Sequence, residues 1–260
     1  MAQIYDIYSS GIKRKLNNYW AAWLPTTKYQ LGDIGILNGN VFEKIGSLKE
    51  LKIDYKTQDD TSSSPLELVS EAGVSFQFKV AGETNPAFES VPVAEAGVKI
   101  KLESAGAFTV LCPDSYEPSI DEPMALQKRI IEAYEKRVWE SDWTVITRLI
   151  TAPSATILIS NSLNSDVELS ASADLKAALA QLGKADLGLS LKSQRGDMFK
   201  MIGAREITPF FQVAKLKRRW FGDPKLRTRS VKISDKSSMA ASTVAGEKQD
   251  LYLDILKDGE

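Results

Sequence analysis

Cys112 is the one thiol of this 260-residue chain, and there is no histidine. Those two facts remove the commonest general base, the Ser–His and Cys–His nucleophile pairs and every histidine metal site. A lone cysteine leaves no internal disulfide framework, is compatible with a reducing compartment, and reads as a small buried hydrophobe. Carboxylates and lysines are plentiful, but no paired-carboxylate, Walker or dinucleotide-binding motif organises them. The expectation is a protein that is not an enzyme, with no catalytic residue, no metal and no cofactor.

The spacing that carries chemistry here governs partition between oil and water. Glu71-Ala-Gly-Val-Ser-Phe-Gln-Phe-Lys-Val-Ala-Gly82 is echoed by Glu95-Ala-Gly-Val-Lys-Ile-Lys-Leu-Glu-Ser-Ala-Gly106. Both alternate apolar and polar residues at period two, which makes a strand greasy on one face and wet on the other. Val74, Phe76, Phe78 and Val80 share one face with Val98, Ile100 and Leu102 of the echo; Ser75, Gln77, Lys79, Lys99, Lys101 and Glu103 lie opposite. Weaker versions recur at Asp166–Ala171, with Val167 and Leu169, and at Asp186–Lys192, with Leu187, Leu189 and Leu191. Such segments form half-buried strands of an ordinary sheet, or the wall of a membrane barrel with a polar lumen.

The elements that position these segments follow from the same periodicities. Ile4, Ile7, Tyr8, Ile12 and Leu16 have helical spacing, with Lys13, Arg14 and Lys15 near one side and Gly11 a mild weakness. Leu31–Leu37 and Val41–Ile45 flank Asn38-Gly39-Asn40, a hairpin signal, and Ser47 opens a helical turn. Thr57–Pro65 and Glu83–Pro92 read as polar loops. Ser119-Ile-Asp-Glu122 has the spacing of a capping box ahead of Pro123 and a helix carrying Leu126, Ile130, Ile131, Tyr134 and Val138 on one face. Trp143–Ile150 and Thr156–Ser160 read as two strands around Pro153, or one interrupted edge. Leu175–Leu182 has helical spacing, and Met198–Ile202 with Ile207–Leu216 reads as a closing hairpin. The fold class is α+β: a twisted antiparallel sheet with surrounding helices and two extendable amphipathic hairpins.

Charge is unevenly placed although the formal net is -1. Between Arg195 and Lys236 twelve basic residues face four acids, whereas from Ser237 onward five acids face two lysines. A basic stretch of this kind suits solvated surface, an anionic membrane, nucleic acid or an acidic tail folded back on it. Gly222–Lys248 has linker composition, and Leu251, Leu253 and Ile255 alternate with Tyr252 and Asp254 in a stretch suited to adding a strand to a sheet edge. No apolar run reaches the roughly 20 residues of a membrane-spanning helix, and Met1–Leu16 lacks a signal peptide's apolar core, so the expected location is the cytoplasm.

In layout the chain resembles the gasdermin pore-forming domain in its short bacterial form. The likeness lies in Leu31–Ile53, ending Phe42-Glu-Lys-Ile-Gly-Ser-Leu-Lys-Glu-Leu51; in Trp143-Thr-Val-Ile-Thr-Arg-Leu-Ile150; and in Ile207-Thr-Pro-Phe-Phe-Gln-Val-Ala-Lys-Leu-Lys217. It covers roughly Ile4 to Lys217 in order and spacing. The resemblance implies a pore-forming domain over residues 1–221, then a linker and short inhibitory segment over 222–260. It further implies removal of that segment by an activating protease, with Arg227, Arg229, Lys232 and Asp235 as candidate cleavage sites. A monomer before cleavage would then become a homo-oligomer in the inner membrane and lyse the host cell in antiphage defence. Gly73–Val110 and Val167–Leu191 correspond to the two membrane hairpins; Lys13, Arg14 and Lys15 to the contact with anionic membrane lipids; Leu251, Leu253 and Ile255 to the inhibitory tail. Bacterial members often carry a palmitoylated N-terminal cysteine; no cysteine lies near Met1, and Cys112 is wrongly placed to replace it. The competing expectation is a soluble, non-enzymatic α+β interaction module. Nucleic acid is not an expected partner.

Overall fold

The computed structural model describes residues 4–25, 27–71, 73–171, 182, 188–218 and 251–256. Among them the order is α1 (Ile4–Lys15), β1 (Trp20–Ala21), β2 (Asp33–Asn38), β3 (Val41–Ser47), β4 (Lys56–Gln58), β5 (Ser64–Val69), β6 (Val74–Lys79), β7 (Ala96–Leu102), β8 (Phe108–Ser115), β9 (Ser119–Asp121), α2 (Pro123–Glu135), β10 (Thr144–Ser160), β11 (Ser165–Ala171), β12 (Ser190–Arg195), β13 (Met198–Arg218) and β14 (Leu251–Ile255). The fold is α+β, with antiparallel pairing throughout.

Ten strands form one sheet on the path β1-β13-β10-β2-β3, with β14 on β13, β8 and β9 on β10, β5 on β8 and β4 on β9. The remaining four form a second sheet, β12-β11-β7-β6. Four chain crossings join the sheets, at β5 to β6, β7 to β8, β10 to β11 and β12 to β13.

The spine is the β10–β13 pair, and the sequence expectation for both strands needs correction. β10 runs unbroken through Pro153, because register shifts at Ile146/Arg148, Ile150/Ala152 and Ala155/Ile157 absorb the irregularity. Pro153 falls where the other neighbour changes from the Tyr116↔Thr151 bridge to β8 at Thr156↔Leu111, so its missing N–H disrupts no ladder there. β13 is likewise one strand and not a hairpin. Gly203 (φ 61) lies at the register shift between Ala155↔Ala204 and Ile157↔Met201, a bulge where a turn was expected, and Glu206 (φ 51) is a second left-handed residue inside the strand, opposite Pro153.

At α2 the capping-box expectation fails. Ser119 is in β9, paired with Gln58 and Arg148, and the residue before the helix, Glu122, is left-handed (φ 53) with no side-chain cap. Reciprocal capping occurs instead at Ser47 and Glu50, whose N–H groups each donate to the other's side chain at 3.1 and 3.3 Å. Part of the expected Thr57–Pro65 loop is strand, in β4 and the start of β5. The Asn38–Asn40 hairpin forms as expected, with Gly39 at φ 61.

α1 buries Tyr5, Tyr8 and Ile12. Gly11 is there for close approach: a Cβ on it would lie 2.5 Å from Phe108 Cε1. Leu126, Ile130 and Ala133 of α2 pack with Ile34, Leu48, Trp139, Val145, Ala214 and Leu216. Of the expected helical segment Leu175–Leu182 only Leu182 is described, buried at 2% exposure; Gly222–Lys248 lies outside the described residues.

Candidate membrane-insertion hairpins

The second sheet unites the two predicted hairpins. β6 pairs with β7 as Val74↔Leu102, Phe76↔Ile100 and Phe78↔Val98. β11 then pairs with β7 as Val167↔Ile100 and Leu169↔Val98, and Leu169 also faces Leu191 of β12. A single apolar row, Phe78–Val98–Leu169–Leu191, therefore crosses four strands. The β7–β11 seam was not readable from the chain, since each hairpin accounts for its own alternation.

Exposure grades across this row. Val98, Ile100, Leu102, Val167 and Leu169 are fully buried in one cluster with Leu111, Leu158 and Met198 of the larger sheet and Ala107 just before β8. Val74, Phe76, Val80 and Leu189 are half-buried, while Phe78 (42%) and Leu191 (41%) are exposed at the outer strands. Leu187 lies outside the described residues.

The polar face departs from expectation. It is covered by residues 80–95, the connection expected to be a polar loop. Phe88 (4% exposed) and Val91 (5%) lie over Gly97, where an added Cβ would sit 3.1 Å from each. Lys79 is 2% exposed, and its ammonium donates to the carbonyls of Pro92 (2.7 Å), Val93 (3.4 Å) and Glu95 (2.6 Å). Lys99 reaches Glu168 across the seam at 2.8 Å and Asp166 at 3.9 Å, and donates to the carbonyl of Ala87. Glu168 in turn accepts the N–H of Ser90. Further out, Lys192 pairs with Glu95 (3.1 Å) and Arg195 with Glu89 (3.8 Å). Hydrogen bonds from Ser170 and Lys192 hold the Glu95 carboxyl below its usual range. Residues 80–95 thus form a strap that buries Lys79, Lys99 and Glu168 of the polar face and leaves Glu103 exposed.

The three basic residues of α1 separate. The Lys13 ammonium sits 3.4 Å from the Trp20 ring centroid and 2.7 Å from Asn40 Oδ1 and is 9% exposed, so it faces the protein and not solvent. Arg14 and Lys15 are exposed. They line a hollow with Ile7, Ser70, Glu71 and Gly106, which puts this end of α1 at the base of the first hairpin.

The tail segment adds a strand to the β13 edge. Leu251 faces Arg218, Leu253 faces Leu216 and Ile255 faces Ala214, with Lys217 and Asp254 at 3.3 Å. Leu251 and Leu253 are half-buried, and Ile255 is 41% exposed. Arg227, Arg229, Lys232 and Asp235 lie outside the described residues.

Among the described residues no group of three or more Cys, Asp or Glu is placed to hold a metal ion. Burial pushes the Cys112 thiol up to about 12, so it stays protonated. No described helix is long and apolar enough to cross a membrane, which says nothing of strands.

The chain is similar to two gasdermins of solved structure. One is the gasdermin A3 membrane pore, at 11% identity over 89% of this chain and 98% of that one, with a TM-score of 0.36. The other is a bacterial gasdermin from Bradyrhizobium tropiciagri, at 12% identity over 81% of this chain and 86% of that one, also with a TM-score of 0.36. No family model and no curated protein matches the chain.

Proposed function

We propose that the chain is a gasdermin-type pore former: proteolysis near its C-terminus frees it to gather on anionic membrane as a homo-oligomer, each copy contributing both hairpins to a common β-barrel. The uncleaved form is a cytoplasmic monomer and the target is the inner membrane. Lysis of the host cell in antiphage defence is the role that the family resemblance implies.

One observation carries the barrel reading. The β6–β7 ladder has no bulge, so propagating it into the strap keeps odd-numbered residues on one face and even-numbered residues on the other. The charged residues from 71 to 103 are Glu71, Lys79, Glu83, Glu89, Glu95, Lys99, Lys101 and Glu103, every one odd-numbered. An extended hairpin therefore carries no charge on its apolar face. Pro92, which would face Thr84 in that register, lacks the N–H a ladder needs and sets the limit at the pair Glu83 and Val93. Strands of roughly ten residues result, enough for the 9 to 11 that a tilted membrane strand requires. A loop that only joined two surface strands would have no reason to keep its charges in phase with them.

Complete burial of Val98, Ile100, Leu102, Val167 and Leu169 favours the second reading, an interaction module whose hairpins never leave the body. A cysteine scan separates the two. In a Cys112→Ala background, single cysteines at positions 80–84 and 94–102 carry an environment-sensitive dye, and a protease site is inserted between Ser237 and Gly246. On cleavage with anionic liposomes, even positions should shift to a lipid-like emission and odd positions stay aqueous, with release of trapped dye. No alternation and no release would leave the interaction module standing.

A further inference from the structure

A cavity of about 260 Å³ lies between the first turns of α2, the strands β9 and β14, and the β10–β13 pair. Its walls are apolar, from Ile120, Met124, Leu126, Leu253 and Ile255. Gln212 of β13 reaches into it beside Ala214, which belongs to the cluster packed under α2. The Gln212 side chain is nine-tenths buried, at 9% exposure, yet its amide has no hydrogen-bond partner among the described residues. Buried amides are normally paired, because an unpaired one forfeits its hydration for nothing. A single water of about 30 Å³ would leave most of this cavity empty, and several waters would wet five apolar side chains.

Charge and size narrow what would fit. Arg148 is the one ionised side chain among the described residues lining the cavity, and Glu117 neutralises it at 3.0 Å. An ionised ligand would therefore lose its hydration without meeting a free counter-charge, so the occupant is neutral. The volume falls just below the roughly 300 Å³ at which drug-sized pockets begin, which suits one ring or a short chain. A side-chain amide offers a donor and an acceptor side by side, and a planar group with the complementary pair satisfies both at once.

We propose that this cavity binds a small neutral molecule with an apolar body and a planar head, a carboxamide or a lactam-type ring, whose adjacent donor and acceptor pair with the Gln212 amide. Ser119 and Thr147 line the same cavity and add hydroxyls toward that head. Because Leu253 and Ile255 belong to β14, the site is complete only while that strand is docked. Ligand and strand then stabilise each other reciprocally. The site does not depend on what the chain does at a membrane.

The test uses the full chain with two neutral probes, benzamide and valerolactam, and benzoate as the ionised counterpart. In amide NMR spectra both neutral probes should give saturable shifts at the Gln212 side chain and at Leu253 and Ile255, with benzoate about tenfold weaker or worse. Gln212→Leu should weaken benzamide by about tenfold or more and yet raise the melting temperature, a split that a merely structural glutamine would not give. Ile255→Trp, at a position 41% exposed, should fill the cavity and block both probes without lowering the melting temperature. The Leu253 N–H is held by Gln127 and the Leu256 N–H by Val213 O, so both amides report on β14. Benzamide at about ten times its Kd should slow their hydrogen exchange about tenfold. No saturable shift from either neutral probe, or shifts that persist in Ile255→Trp, overturns the site. Benzamide binding that survives Gln212→Leu, or benzoate binding as tightly as benzamide, overturns recognition by the amide. Exchange at Leu253 and Leu256 that is unchanged at saturation overturns the coupling to β14.

Discussion

Lys99 Nζ and Glu168 Oε1 lie 2.8 Å apart across the seam between the two hairpins, with side chains only 11% and 4% exposed. The pair does two things at once: it joins β7 to β11, and through Ala87 O and Ser90 N it holds the strap down. Removing one partner strands a buried charge, which costs about 3 kcal/mol, whereas replacing both with apolar groups of similar volume is close to neutral. Glu168→Gln and Lys99→Gln should each lower the urea midpoint of the uncleaved chain, and Lys99→Met with Glu168→Leu should recover most of the loss. Equal melting of all four proteins would mean that the pair holds nothing.

The strap itself is open to a test by volume. Gly97 has an ordinary strand conformation, but Phe88 and Val91 occupy the space where its side chain would be. Gly97→Leu should lift residues 83–95 from the sheet at a cost of about 1 to 3 kcal/mol, as for other overpacked sites. Hydrogen exchange should then quicken at Phe88 and Ser90 while the amides of β10 and β13 keep their protection. Unchanged exchange in the strap would mean that the sheet gives way instead.

The alternation at Val74–Val80 and Val98–Leu102 was legible because period two constrains each strand independently of its neighbours. What the polar half of that pattern faces was not legible. Lys79, Lys99 and Glu168 look the same in sequence whether water or a folded-back strap covers them, and the difference lies in Phe88 and Val91, two apolar residues in a stretch otherwise typical of loops. Lys13 was misplaced for a related reason. Its neighbours Arg14 and Lys15 do face solvent, while Trp20 and Asn40, which hold it, arrive from other elements. Ser119 misled because a Ser-x-x-Glu spacing says nothing of a strand claiming the serine first. The long strands β10 and β13 were broken in the expectation around Pro153 and Gly203, but Pro153 falls between two neighbouring strands' pairings and Gly203 at a bulge, so neither ends its strand. The edge taken by β14 was anticipated from Leu251, Leu253 and Ile255, although nothing in the chain named β13 as its partner.

Lipid capture should depend on only part of the α1 basic cluster. A basic side chain near an anionic surface contributes about 1 kcal/mol, so Arg14→Gln with Lys15→Gln should weaken binding to anionic liposomes about thirtyfold and leave neutral liposomes unaffected. Lys13→Met should act differently, lowering the melting temperature through lost contacts to Trp20 and Asn40 and leaving lipid affinity largely intact if the chain stays folded. Cosedimentation of the cleaved protein with vesicles, beside melting of the uncleaved one, reads both. If Lys13→Met weakens sedimentation as much as the double change does while melting is unchanged, Lys13 leaves its pocket on the membrane.

The exposure gradient across the apolar row decides which substitutions test the barrel. Ile100→Lys would bury an unpaired ammonium at a fully covered position and unfold the chain, so loss of leakage there would be uninformative. Phe78 and Leu191 lie at the outer strands with about two-fifths of their surface in solvent, and a lysine at either can reach water in the folded state. In an inserted barrel the same lysine would face hydrocarbon at a cost of roughly 2 to 4 kcal/mol near the midplane. Phe78→Lys and Leu191→Lys should therefore melt within a few degrees of the parent yet release trapped dye at least tenfold more slowly after cleavage. Arg195→Gln is the control from the opposite face: its 3.8 Å pairing with Glu89 is largely exposed and contributes little, so leakage should be close to that of the parent. If both lysine variants fold and leak as the parent does, this row does not meet lipid and the barrel assignment fails at its central feature.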